Sequence, residues 1–357
     1  MVRGAVVYLY AFDVGSEVVV AGVDPAARPA TPDARRKPAG PTDVVAARPL
    51  EIELSPAPIV VAGLPAEPVV RVYGVGVVTV TVRVPGVSGE LPAWRQFHRP
   101  TTADGRPLTE AARELCRRAC DRLGPALRDP VGVGEPEAYT AFCLADLGDE
   151  SDAARWLEVN RRAAAGLLND QAPDRLSNDQ LAETFRHRRS FTAGDLVVPD
   201  WDAALVVDPA GEFDDVVTVF ELANLQLEEL RALDATLDRY LDRAYDHLAG
   251  RPGLWPGRWA AVLRELRRLR VDASKLADGV TNVTKFVGDW YLARVYLAVR
   301  ERFHLDDWRT SVDQRVAQLD RVYELIRGEV SERRMFVLEL LVVVLIAVEL
   351  LVALLTR

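Results

Sequence analysis

The sequence predicts an α+β protein in three parts. These are an N-terminal mixed α/β domain over residues 1–210, a helical or coiled-coil domain over 211–330, and a C-terminal transmembrane helix over 335–355. Three observations predict it. Short β-rich apolar runs alternate with amphipathic helical patterns over the first 210 residues. From Glu212 the apolar spacing changes to threes and fours. From Met335 to Leu355, 19 of 21 residues are apolar, the exceptions being Glu339 and Glu349.

Ala5 to Phe12 carries Val6, Val7, Tyr8, Leu9 and Tyr10 and reads as a strand. Residues 22–50 hold six prolines between Pro25 and Pro49, a density that precludes regular structure and marks an insertion loop, with Arg35-Arg36-Lys37 at a solvated tip. Val69 to Val84 is either one long strand or a hairpin bent near Gly74 and Gly76. Pro107 opens a helix to about Leu127, amphipathic through Leu108, Ala112, Leu115, Ala119 and Leu123. Glu137 to Ala145 reads as a strand and Ser151 to Leu168 as a helix. Ser177 starts a short helix that ends near Arg186-His187-Arg188-Arg189. Two short strands follow, Asp195 to Val198 and Ala203 to Val207.

Phe220, Ala223, Leu227, Leu230, Asp234, Leu237, Leu241, Ala244 and Leu248 form a heptad stripe. Asp234 is its one charged member; the spacing favours turning it to the stripe's edge over pairing it with an arginine of a neighbouring helix. Arg251-Pro252-Gly253 breaks the helix, and helices are expected from Trp259 to Lys275 and from Val280 to Arg302. The last helix begins near Leu305. Its stripe of Val312, Val316, Leu319, Tyr323, Ile326 and Val330 continues as Val337, Leu340, Val344, Ala347, Leu351 and Leu354.

Twenty-one residues rise roughly 31 Å, against a hydrocarbon thickness of about 30 Å. Sixteen of them are Leu, Ile, Val or Phe, offering on the order of −5 to −10 kcal/mol toward insertion. Arg321, Arg327, Arg333 and Arg334 precede the run and Arg357 follows it. The excess of positive charge upstream predicts a single-pass C-terminal anchor with the N-terminal domain cytoplasmic. Carboxylates inside a span mark helix contacts, so Glu339 and Glu349 are the candidate oligomerisation residues.

Composition narrows the chemistry. The net charge is −9, from 44 basic and 53 acidic residues, which disfavours a general nucleic-acid partner. None of the three lysines (Lys37, Lys275, Lys285) follows a glycine, so no phosphate-binding Gly-Lys-Ser/Thr loop exists. Cys116, Cys120 and Cys143 are too few for a disulfide framework and read as reduced and structural. The start Met1-Val2-Arg3-Gly4 has no secretory pattern. Gly86-Val87-Ser88-Gly89 meets Glu90 where a nucleophile elbow needs glycine. No cofactor is expected.

The ending Met335-Phe336-Val337-Leu338-Glu339-Leu340, followed by Val344-Leu345-Ile346-Ala347-Val348-Glu349, resembles that of the required-for-meiotic-nuclear-division family. Gly288-Asp289-Trp290-Tyr291-Leu292-Ala293-Arg294-Val295-Tyr296 and Arg315 to Glu324 resemble the helices before that ending, and Asp195-Leu196-Val197-Val198 and Glu221-Leu222-Ala223-Asn224-Leu225-Gln226-Leu227 fit the family's general pattern; the resemblance covers about residues 177–357. The family is largely uncharacterised, membrane-associated, and includes a mitochondrial translation-supporting protein. The resemblance implies a membrane-anchored assembly or tethering protein and supplies no catalytic residues.

The expected function is therefore a tail-anchored oligomeric scaffold or tether, not an enzyme. Its expected partners are the lipid bilayer, further copies of itself and an unidentified protein. Two alternatives remain open. A divalent-metal-dependent enzyme would use Asp195, Asp200, Asp202 and Asp208. An anion- or RNA-binding sensor would use Arg186, Arg188 and Arg189.

Overall fold

A computed structural model of the chain describes residues 1–19, 49–54, 58–249 and 290–355, together with Arg264 and Arg267. It is α+β, a mixed sheet with helices followed by a helical C-terminal region. The insertion expected over 22–50 lies outside the described residues except at its end, as do the break at 251–253 and most of the helix expected over 259–275.

Ten strands are described: β1 Val2–Asp13, β2 Glu17–Val18, β3 Leu50–Glu51, β4 Ile59–Val61, β5 Leu64–Tyr73, β6 Val77–Gly89, β7 Leu127–Arg128, β8 Glu137–Asp146, β9 Leu196–Pro199 and β10 Ala203–Val207. The helices are α1 Leu108–Leu123, α2 Ala153–Leu168, α3 Asn178–Thr184, α4 Asp214–Ala249, α5 Trp290–Arg302 and α6 Leu305–Leu355. The main sheet runs β3-β5-β6-β1-β8-β10-β9, with β4 added on β5. Neighbours are antiparallel except β8 and β10, which are parallel and joined through α2, α3 and β9.

β1 is the central strand because its apolar run is nearly unbroken and buried on both faces. Val6, Tyr8, Tyr10 and Phe12 point into one core with Val78, Val80, Val82 and Val84 of β6. That core is closed by Leu108, Ala112, Leu115, Cys116, Ala119 and Leu123 of α1 and by Trp156 and Leu157 of α2. On the other face Ala11, Tyr73 and Val77 pack with Leu222 and Leu225 of α4. There Tyr139 meets the rings of Phe220 and Phe303 at 5.4 and 5.0 Å.

The segment around Gly74 is a hairpin rather than one strand. Gly76 sits at φ +86°, and a Cβ there would lie 1.9 Å from the Gly15 carbonyl oxygen, so only glycine fits. Side chains cap two helices. Asp152 accepts from the Arg155 amide at 3.0 Å, and Ser177 from the Gln180 amide at 3.1 Å.

Two compact units are present. The first comprises Met1–Arg231 and Gly279–Trp308; the second comprises Ala232–Asp278 and Arg309–Arg357. Within the second, Asp234 does not turn away from its neighbours as the heptad spacing favoured. It receives Arg315 Nε at 2.5 Å and Ser311 Oγ at 3.2 Å. Arg315 also bridges to Asp238. The long arginine reaches across from α6 and neutralises the charge in place.

No helix among the described residues is long and apolar enough to cross a membrane. In the apolar end of α6 the continuous stretch with every side chain described is Met335 to Glu349. The transmembrane helix expected over 335–355 is therefore not found among the described residues.

Candidate functional site

Along Met335 to Glu349 every residue of α6 is exposed. Twelve are large and apolar, from Met335 at 61% to Val348 at 52%, with none below the 45% of Val337. No face is withdrawn from solvent, unlike the earlier part of the same helix, where Val312, Leu319 and Val322 are buried. Glu339 and Glu349 are the two polar side chains in the stretch and both are exposed. Ten residues apart, they lie about 15 Å apart along the axis and about 80° around it.

The three arginines expected to contact an anion are engaged by the protein. Arg186 lies 3.7 Å from Glu183 and Arg188 lies 3.3 Å from Glu158. Arg189 donates to the Arg188 carbonyl at 2.9 Å, while its backbone bridges Val197. The four aspartates are likewise dispersed over separate tasks. Asp195 accepts from the amides of Phe191 and Thr192 at 2.7 and 2.8 Å. Asp208 accepts from the Ala210 amide at 2.9 Å. Both are turn caps. The Asp202 carbonyl receives the Thr140 amide at 3.0 Å. Among the described residues no group of three or more His, Cys, Asp or Glu could hold a metal ion.

Asp200 belongs instead to a buried ionic cluster that sequence spacing does not reveal. Its partner, Arg302 at the end of α5, is 102 residues away. Arg302 Nε donates to Asp200 Oδ1 at 2.9 Å, Nη2 donates to the same oxygen, and Nη1 donates to Glu183 Oε1 at 2.8 Å. Trp201 lies over the guanidinium at 5.4 Å and stacks on His304 at 5.1 Å. Beneath them Tyr139 Oη donates to the Asp200 carbonyl at 3.0 Å, and burial raises its phenol pKa. Asn169 ties the cluster to Thr184 at 2.9 Å. His187 stands 3.5 Å from Glu301, and burial lowers its pKa. The cations and carboxylates neutralise one another, so the cluster holds α5 and α3 on the edge of the sheet.

A second buried carboxylate, Glu221 of α4, fastens that helix to the other end of the sheet. It accepts from Arg71 Nη1 at 2.5 Å, Tyr73 Oη at 3.0 Å and Thr79 Oγ1 at 2.5 Å. Further along α4, burial pushes Glu228 up to about 7. Burial, with the nearby Asp13, pushes Glu229 up to about 8. One oxygen of Glu229 is buried without a hydrogen-bond partner. Of the cysteines, Cys116 and Cys143 are buried, Cys120 is partly exposed, and all three are free.

Residues 3–214 match the family described as uncharacterized protein MJ0711, N-terminal domain. Uncharacterized protein MJ0711 of Methanocaldococcus jannaschii is 24% identical over 221 residues, 61% of this chain and 66% of that protein. The chain thus spans just under two thirds of that relative's length. No solved structure matches. The match overturns the resemblance to the required-for-meiotic-nuclear-division family. That resemblance rested mainly on an aliphatic C-terminal run, whose residue types any apolar helix uses. The recognisable family pattern lies instead in the sheet and its first helices, and it stops where α4 begins.

Proposed function

We infer a non-catalytic, membrane-tethering role for this chain, which belongs to the family of the uncharacterized protein MJ0711 N-terminal domain. The observation that carries the inference is the exposed apolar surface of α6 from Met335 to Glu349. A helix that is apolar on every side suits hydrocarbon or a protein core, not water. Twelve large side chains left about half exposed forgo on the order of 10 kcal/mol of apolar burial. The sequence continues apolar through Leu350 to Leu355, which brings the run to a bilayer's thickness. A bilayer covers all sides of such a helix at once, whereas one partner helix covers a single seam.

Arg321, Arg327, Arg333 and Arg334 precede the run, an asymmetry that favours the cytoplasmic side for the chain before it. The α/β unit would then be the part presented to a protein partner. The engagement of its carboxylates supports this role: Asp200 is held by Arg302, while Asp195 and Asp208 cap turns through backbone amides.

Vesicle flotation tests the inference. The full chain is expected to rise with phosphatidylcholine vesicles and to stay bound in alkaline carbonate. A V343R/I346R variant is expected to remain at the bottom, because each central arginine opposes insertion by about 2.5–3.5 kcal/mol. A full chain that stays at the bottom without detergent would sink the inference.

A further inference from the structure

We propose that Cys116 and Cys120 of α1 form a redox-active dithiol, a modification site at which a hydroperoxide oxidises Cys120 and Cys116 then closes a reversible disulfide on it. The proposal stands apart from the membrane reading above. Both thiols are free, and they sit on consecutive turns of one helix.

Exposure assigns the two roles. Cys116 is fully buried and packs with Leu115, Ala119 and Leu123 on the face that α1 turns to the sheet. Cys120 lies at the margin of that core and is partly exposed. An oxidant arriving from solvent therefore meets Cys120 first. A hydrogen bond joins the two side chains and lowers the Cys120 thiol pKa. The same bond, with burial, holds the Cys116 thiol well above its ordinary range. The sulfur within reach is thus also the better nucleophile, and the sealed one keeps its proton. Cys143 is sealed in β8, where its thiol donates to the Ala141 carbonyl at 3.8 Å.

The Cys120 sulfur, its proton lost, attacks one oxygen of hydrogen peroxide. An S–O bond forms, the O–O bond breaks, and the leaving hydroxide takes up a proton to become water. The Cys116 sulfur then attacks that of Cys120. The S–S bond forms, the S–O bond breaks, and the hydroxyl departs with the Cys116 proton as a second water. Together the two thiols lose two electrons, which the peroxide gains.

Helix geometry makes this bond reversible. Cα atoms four residues apart in a helix are separated by about 6.2 Å, inside the ~4.4–6.8 Å that a disulfide spans. Their Cβ atoms, about 5–6 Å apart, must close to about 3.5–4.5 Å. The strain falls on the last turn of α1, where the Gly124 amide donates to the Cys120 carbonyl. Strained disulfides are the readily reduced ones.

The test treats the full chain in detergent with hydrogen peroxide and maps its cysteines by mass spectrometry. Wild type is expected to lose two hydrogens in a Cys116–Cys120 bond while Cys143 stays a free thiol, and reduced glutathione should restore both thiols. C116A should stop at the sulfenic acid, trapped on Cys120 by dimedone. C120S, a change at a partly exposed position, should leave Cys116 a free thiol and serves even where C116A does not fold. Wild type that forms no such bond, a bond that glutathione leaves intact, folded C116A without a dimedone adduct, or C120S whose Cys116 is oxidised as fast as Cys120 of wild type would each overturn the proposal.

Discussion

Removing the Asp200 carboxylate should destabilise the α/β unit more than any single surface change. The Asp200 and Arg302 side chains are 3% and 5% exposed, so the pair is held out of water. In D200A the Arg302 cation keeps Glu183, whose side chain is 42% exposed, and the ring of Trp201. It loses its buried counter-ion. Breaking a buried pair from one side costs about 3–5 kcal/mol; with Glu183 still in place the lower end, about 3 kcal/mol, is expected. At roughly 2–4 °C per kcal/mol for a unit of this size, Tm should fall by roughly 6–12 °C. Thermal melts of the full chain in detergent, with hydrogen exchange of the β10 amides as the local probe, measure it. The double variant D200L/R302M should recover much of the loss, since neither charge is then stranded. A loss below 1 kcal/mol in D200A, or strict additivity in the double variant, would refute the reasoning.

Two further predictions concern the same unit. Glu228 and Glu229 have folded pKa values of about 7 and about 8 against an ordinary 4.5. The folded chain therefore binds more protons than the unfolded one across this window. Their contribution is complete below about pH 4.5 and is lost as pH rises through about 7–8. Denaturant titrations from pH 5 to 9 should show stability falling over that interval, and E229Q should flatten the slope and stabilise the protein at pH 9. A wild-type slope that rises with pH, or one that E229Q leaves unchanged, would contradict the assignment. Separately, Gly76→Ala should lower stability by about 2–4 kcal/mol, because it adds a Cβ at φ +86° against the Gly15 carbonyl oxygen; an unchanged Tm would rule out that close approach.

Where a local pattern sets the structure, the sequence was legible. The continuous apolar run of β1, the 3.6-residue spacing of α1 and the Ser177 cap of α3 each fall within a few residues of expectation. The hairpin at Gly74–Gly76 stayed ambiguous because the turn is fixed by the distant Gly15 carbonyl. The 3-10 helix Leu91–His98 has too few turns to carry a periodic signal. The two-residue strands β2, β3 and β7 are likewise invisible in a pattern of period two. Asp234 was misplaced because nothing near it in sequence announces Arg315. The same holds for the ion clusters: Asp200 and Arg302, or Arg71 and Glu221, lie more than a hundred residues apart, and only the sheet's crossings bring them together. Glu339 and Glu349 stand out in the sequence because they interrupt a uniform apolar background. That same uniformity made the ending a poor guide to family.

On the tethering proposal the end of α6 sits in lipid. Hydrogen exchange of the segment Met335–Leu355 in the full chain, measured with and without phosphatidylcholine vesicles, tests it most directly. Seated in hydrocarbon, the helix should keep its amides for hours or longer, while exposed surface residues of α2 exchange equally in both samples. Equal exchange of Met335–Leu355 with and without vesicles would contradict the claim.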